Sequence, residues 1–259
     1  MKLRISDLKN VLLVPIRAVA RMFVLVFVFV VYIVQLLALA LQQKKMASDL
    51  LALTARLVLY VMGVRVVVTV QDKSLEGRKS RPIIYLYNHQ NPLDIFVVQG
   101  YLRVPSITTA SLHLGLVLPW FSTSASNAGH ALMDHLNESS RRSAVYKSSE
   151  ILRRYGAIII APNGSLKTSI LQRVSASAWV LARKHNARIV PWTFAYKNLK
   201  ISEQDLYSPL KILRRRIIAK PSTIYCYLGK STDLNLPSDP RDREGFSRAV
   251  KFHYMQQQE

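Results

Sequence analysis

The sequence predicts an α/β fold, a mostly parallel sheet flanked by helices and preceded by an N-terminal pair of membrane-embedded helices. Three observations predict it. From Gly63 onward, short β-branched runs alternate with helical patterns, as strands joined by helical crossovers do. Turn and stop signals such as Gly156 separate the runs. Ahead of them, residues 22–41 hold a single strongly polar side chain, Gln35. A helix of that length rises about 30 Å, the thickness of a bilayer's hydrocarbon core.

The apolar run is too long for a cleaved signal peptide, and no small-residue cleavage site follows it. Arg17 and Arg21 precede it and Lys44 and Lys45 follow, so its flanks carry little of the asymmetry that orients a span. A second helical pattern covers Ser48 to Val61. Leu50, Leu53, Leu57, Val58 and Val61 share one face, with Asp49 and Arg56 on another, as in a helix lying in the membrane interface. The pair reads as two helices dipping into one leaflet, although a single span fits the same residues. Residues 1–62 are thus the membrane-anchoring part and residues 63–259 the α/β domain.

Within that domain Val64 to Gln71 reads as a strand, Lys73 to Pro82 as a loop, and Ile83 to Tyr87 as a second strand. Asn91 suits an N-cap and Pro92 the first turn of the next helix. Ser140 to Tyr155 reads as a helix ended by Gly156, and Ala157 to Ala161 as a buried strand. The turn Pro162-Asn163-Gly164-Ser165 follows, then a helix over Thr168 to His185 and strands over Ile189 to Tyr196 and Thr223 to Leu228.

Half the residues are apolar, enough for a substantial core. The lone cysteine, Cys226, rules out an internal disulfide and suits a reducing compartment. A formal net charge of +21 calls for an anionic partner. The basic residues are spread through helices and flanks, with neither a recognition helix nor an aromatic-basic sheet motif, so nucleic acid is set aside. Anionic lipid head groups account for the charge, each nearby Lys or Arg adding about 1 kcal/mol. The run Lys211 to Arg216 suits such a surface, an acidic carrier protein, or a merely solvated face.

The chemistry centres on His89 and Asp94. Asp94 lies five positions after His89, a spacing that diverges on one continuous helix but can converge across a strand–loop–helix junction. With six His and nine Asp in the chain, chance alone supplies such a pair roughly one time in five. The preceding strand and following helix raise its significance, because open α/β sheets place their sites at the carboxyl ends of strands. A histidine oriented by an aspartate is the minimum needed to take a proton from a hydroxyl.

Three further segments stand in order behind it. Asn88-His89-Gln90-Asn91-Pro92-Leu93-Asp94 looks like an N-H-x-x-x-x-D box. Gly129-His-Ala-Leu-Met-Asp-His135 is similar to G-x-x-F-I-x-R, Ala161-Pro-Asn-Gly-Ser-Leu-Lys167 falls where F-P-E-G-T-R-S would stand, and Val190-Pro191 matches a fourth pattern, a strand carrying Val-Pro. Together they resemble the glycerolipid acyltransferase family, whose best-known members are lysophosphatidate (1-acylglycerol-3-phosphate) acyltransferases. The resemblance spans residues 60–195, and the hydrophobic helices ahead also look like that family. It implies a membrane-bound enzyme of phospholipid synthesis, moving a fatty acyl group from an acyl thioester to a lysophospholipid hydroxyl. The donor would be acyl-CoA or acyl-carrier protein, and the acceptor lysophosphatidate, giving phosphatidate. His89 would be the general base and Asp94 its orienter, with no metal, cofactor or covalent intermediate. The resemblance suits a bacterial inner membrane with the site facing the cytoplasm; an internal eukaryotic membrane would look much the same.

The family's second and third motifs bind the acceptor's phosphate, which assigns substrate binding here to His135, Asn163, Gly164, Ser165 and Lys167. Several of these depart from the pattern. His135 replaces an Arg, Asn163 a Glu and Leu166 an Arg, while Lys167 stands one place after the expected Arg. Arg grips phosphate with two parallel bonds, which neither a neutral His nor a Lys point charge can do. The phosphate clamp is therefore weakened or rebuilt. Three readings follow: lysophosphatidate held by Lys167 with Arg141, Arg142 or His135; a phosphate-free acceptor such as an ornithine-type lyso-lipid; or a non-catalytic lipid-binding relative, against which the intact His89 and Asp94 weigh. The Thr108–Trp120 segment is a candidate wall for an acyl-chain tunnel.

Overall fold

The computed structural model describes residues 5–41, 43–70, 81–91, 93–101, 107–111, 131–133, 137–163, 174–199, 221–230, 234–239 and 241–256. Helices α1 (Ile5–Ala40) and α2 (Lys44–Val61) open the chain. Strands β1 (Val64–Val70) and β2 (Ile83–Tyr87), helix α3 (Asp94–Tyr101), and strands β3 (Ile107–Ser111) and β4 (Ala131–Met133) follow. Helix α4 (Glu138–Tyr155), strand β5 (Ala157–Ile160), helix α5 (Ser177–His185), strands β6 (Arg188–Lys197) and β7 (Ser222–Leu228), and helix α6 (Arg243–Gln256) complete it.

The described strands form a seven-stranded sheet in the order β1-β7-β6-β2-β5-β3-β4. Every neighbouring pair is parallel except β6–β7. The α/β expectation thus holds, with one antiparallel pair near an edge. β2 lies in the middle, between β5 and β6, and all five of its residues are buried. A strand covered on both faces has no reason to alternate polar with apolar.

Alternate residues of β2 serve two cores. Tyr85 and Tyr87 join Trp192, Phe194 and Cys226 under α2 and α3. Ile84 and Leu86 join Ile158 and Ile160 under α4, α5 and α6. Two layers of helix therefore sandwich the sheet, and the carboxyl end of β2 leads into the partly buried turn before α3.

The N-terminal helices pack on each other, burying Val31, Gln35 and Ala38 of α1 and Ala47, Leu51 and Thr54 of α2. No helix among the described residues is long and apolar enough to cross a membrane. α1 nonetheless leaves Phe23, Val26, Phe27, Phe29 and Leu37 largely exposed. The face of α2 expected to lie in a membrane interface is divided: Val61 is buried and Val58 packs on the core of the sheet. Leu53 is exposed, while Leu51, Ala55, Leu59 and Met62 bury against the sheet. That stripe sits one residue along from the predicted one, about 100° around the helix. Small Ala47 and Ala55 bring backbones close, and Thr54 is tolerated inside because its hydroxyl donates to Leu50 O at 2.9 Å. The turn at Gly63 separates elements, but α2 shares its core with the sheet.

One cap of α4 matches the sequence, the stop at Gly156; the other, Asn137, lies ahead of the expected start at Ser140. Asn137 accepts from the backbone N–H groups of Ser139 and Ser140, opening α4, and Gly156 closes it at φ 72°. α5 is shorter than expected. Its predicted first part lies outside the described residues, and residues 174–176 are not helical. There Ser175 N–H donates to Pro162 O at 2.7 Å, tying the segment to the turn after β5 instead of to a helical ladder.

Candidate active site

β2 ends at Tyr87, and Asn88 locks the chain there. Its amide donates to Phe194 O at 2.9 Å and accepts from Phe194 N–H at 2.6 Å, closing a two-bond bridge to β6. The next residue, His89, leaves the sheet with a side chain 20 % exposed. Asn91 then turns the chain: its side-chain oxygen accepts from Leu93 N–H at 3.0 Å, and its carbonyl from Asp94 N–H. Pro92 lies outside the described residues.

Asp94, at the start of α3, faces back across this turn with a fully buried side chain. His89 Nδ1 lies 3.1 Å from Asp94 Oδ2. The same oxygen accepts from the backbone N–H groups of Gln90 and Asn91, each at 2.9 Å. Oδ1 accepts from the Tyr196 hydroxyl at 2.7 Å. A carboxylate surrounded by donors requires the proton of His89 on Nδ1, which leaves Nε2 with its lone pair free for a base's work. Tyr87 rests its ring 5.5 Å from the imidazole. Asn163, in the turn after β5, donates its amide to His89 O at 2.8 Å and is buried.

The Acyltransferase family model matches residues 65–195, half of the chain, and includes His89, Asp94 and Asn163; Tyr196 lies just beyond its end. The chain belongs to the acyltransferase family. No curated protein matches it in sequence. In fold it is similar to the crystal structure of the 1-acyl-sn-glycerophosphate (LPA) acyltransferase PlsC from Thermotoga maritima. That likeness covers 95 % of this chain and 98 % of that one, with a TM-score of 0.61 at 16 % identity. At that identity the likeness speaks for the fold alone.

Of the acyltransferase motif residues, the structure brings His89, Asp94 and Asn163 together. His135, Gly164, Ser165 and Lys167 lie outside the described residues, as do Lys211 to Arg216 and most of the Thr108–Trp120 segment. Arg142 is directed away from any phosphate role: it pairs with Glu138 at 2.6 Å on an exposed face of α4.

Tyr196 is the site residue that sequence reasoning missed. Burial first, and then the neighbouring Asp94, push its phenol well above the ordinary range, so it stays a neutral donor. The only signal was indirect. Trp192, Phe194 and Tyr196 alternate along β6 onto one face, and a buried tyrosine hydroxyl needs a partner. Cys226, far from the motifs in sequence, is paired in register with Phe194. Burial, then Asp94, raises its thiol far above the usual value, so it is no nucleophile. Among the described residues no cluster of His, Cys, Asp and Glu could hold a metal ion.

A hollow of about 460 Å³ lies elsewhere, between α5 and the start of α6, lined by Trp179, Arg183, Lys184, Arg241 and Arg243. Arg183 and Lys184 precede the amino end of β6, whereas His89 follows the carboxyl end of β2. The residues that line the hollow include no histidine or carboxylate.

Proposed function

We propose that this acyltransferase moves a fatty acyl group from an acyl thioester, acyl-CoA or acyl-carrier protein, to the hydroxyl of a lysophospholipid at a membrane surface. The observation that carries the reading is the bond from His89 Nδ1 to Asp94, which leaves Nε2 as the basic nitrogen of a partly exposed imidazole. Nε2 takes the acceptor's hydroxyl proton while the oxygen attacks the thioester carbonyl carbon. The tetrahedral oxyanion collapses, the C–S bond breaks, and the imidazolium returns its proton to the leaving thiolate. Asp94 stabilises the imidazolium in between. The cycle balances without a metal, a cofactor or an enzyme-bound acyl group.

The exposed apolar side chains of α1 support attachment to a bilayer, and the net charge of +21 favours an anionic one. The reading places the protein on a bacterial inner membrane with its site toward the cytoplasm. The acceptor divides two readings. Lysophosphatidate suits the family, but His135, Asn163 and Leu166 stand where the family has Arg, Glu and Arg, which favours an acceptor with less need of a phosphate clamp, such as an ornithine-type lyso-lipid. The test is acyl transfer by purified protein across several lysolipids, with His89→Ala alongside. Loss of a general base lowers turnover by about 10²–10⁴-fold. Undiminished turnover in His89→Ala refutes the mechanism. Product from phosphate-free acceptors alone selects the second reading, and no product from any acceptor leaves a lipid-binding role.

A further inference from the structure

The base is held from two sides. β5 and β6 are the immediate neighbours of β2, both parallel to it, so the segments at their carboxyl ends flank the loop that carries His89. β5 delivers Asn163 and β6 delivers Tyr196. Asn163 Nδ2 donates to the carbonyl oxygen of His89 at 2.8 Å. The nitrogen of that same peptide unit, Gln90 N, donates to Asp94 Oδ2 at 2.9 Å. One peptide is thus clamped at both ends, in a chain running from the Asn163 amide through the peptide to the Asp94 carboxylate. Bonds in such a chain polarise and strengthen one another. At the far end, the Tyr196 hydroxyl holds Asp94 Oδ1 at 2.7 Å, fixing the carboxylate so that Oδ2 faces His89.

We infer that Asn163 and Tyr196 are positioning residues for the His89–Asp94 dyad, and that Asn163 acts by donating to the His89–Gln90 peptide. The inference rests on His89 being the base. It reinterprets a departure from the family pattern. A glutamate at this position, ionised at neutral pH, has no hydrogen to give and would oppose the His89 carbonyl oxygen. The asparagine is therefore a new support for the catalytic half of the site. It is turned inward, toward backbone, and is not a ligand for the acceptor.

The test compares the full-length chain in detergent micelles with N163D, N163A and Y196F. N163D preserves shape and removes donation. Two readouts are used: kcat and KM with a lysophospholipid and an acyl-CoA, and the imidazole N–H signals of ¹⁵N-histidine-labelled protein, with His89 assigned by its loss in H89Q. Each variant is expected to lower kcat on the order of tenfold, the scale of one hydrogen bond to a charged or polarised group. KM should stay unchanged and the His89 Nδ1–H signal should move. N163D or Y196F with wild-type kcat and an unmoved signal overturns the inference. A raised KM at constant kcat for N163D also overturns it, making Asn163 an acceptor ligand. If N163D does not fold, N163A carries the same test. If the wild type transfers no acyl group, the base role falls, while the imidazole signal and its response to the variants still decide the clamp.

Discussion

Replacing Asp94 by Asn isolates the electrostatic contribution of the dyad. The asparagine oxygen must take the Oδ2 position, because an NH₂ there would oppose the N–H groups of Gln90 and Asn91. The NH₂ then faces the Tyr196 hydroxyl, which can rotate to accept. Shape and hydrogen bonding are largely kept, and the lost quantity is the charge beside the imidazolium. At the observed separation of 3.1 Å, two unit charges attract by about 5 kcal/mol at an effective dielectric constant of 20. At 1.36 kcal/mol per decade that is nearly 10⁴-fold in rate, as an upper figure. His89 is 20 % exposed, so water screens part of it, and a loss of about 10³-fold in kcat is expected. KM should hardly change, since Asp94 is buried behind the base. The assay follows thiol release from acyl-CoA in the presence of lysolipid, after a melting curve shows that the variant is folded. A folded Asp94→Asn protein with kcat within tenfold of wild type would falsify the assignment of Asp94 as the partner of the imidazolium.

Three further outcomes concern stability. Burial pushes the phenol of Tyr85 up to about 12 and raises those of Tyr87, Tyr196 and Tyr254 as well, together with the Cys226 thiol. Unfolded phenols and thiols lose their protons near pH 10 and 8.5, so above about pH 9 the unfolded state binds fewer protons than the native one and stability falls as pH rises. Tyrosinate absorbance at 295 nm should show these four phenols ionising only together with unfolding; their ionisation in still-folded protein would contradict the burial. Asn137→Ala should cost about 1 kcal/mol through the lost α4 cap, read as a lowered Tm. Gly63→Ala should cost more than Gly156→Ala. Both glycines have positive φ, but a Cβ at Gly63 would also meet the Arg21 guanidinium at 2.5 Å, whereas at Gly156 it meets nothing within 4 Å. Equal losses of Tm would show that Arg21 moves aside freely.

Much of the fold was legible because it is local. Strand β2 was bounded correctly from its apolar run, the end of α4 from Gly156, and the turn carrying His89 from Asn91 and Asp94, while α4 begins at Glu138, two residues before the expected Ser140. The cap and the turn depend on hydrogen bonds within four residues, and β2 on an unbroken apolar run, all of which short stretches of sequence encode. The face of α2 assigned to a membrane interface is divided, because much of that helix is apolar and only the position of the sheet decides that Leu51, Ala55, Leu59 and Val61 are covered and Leu53 is not. The length of α5 was overestimated because a bond from Ser175 to Pro162 competes with the helix.

The site divides along the same line. The pairing of His89 with Asp94, its place at a strand end, and membership of the acyltransferase family were all present in the sequence, since six residues suffice to write a base and its orienter. The tertiary structure alone decided what surrounds them. Tyr196 is 102 positions from Asp94 and Asn163 is 74 from His89. No local rule joins residues that far apart. They meet because β2 lies between β5 and β6, and that order follows from how two helical layers cover the sheet's two faces.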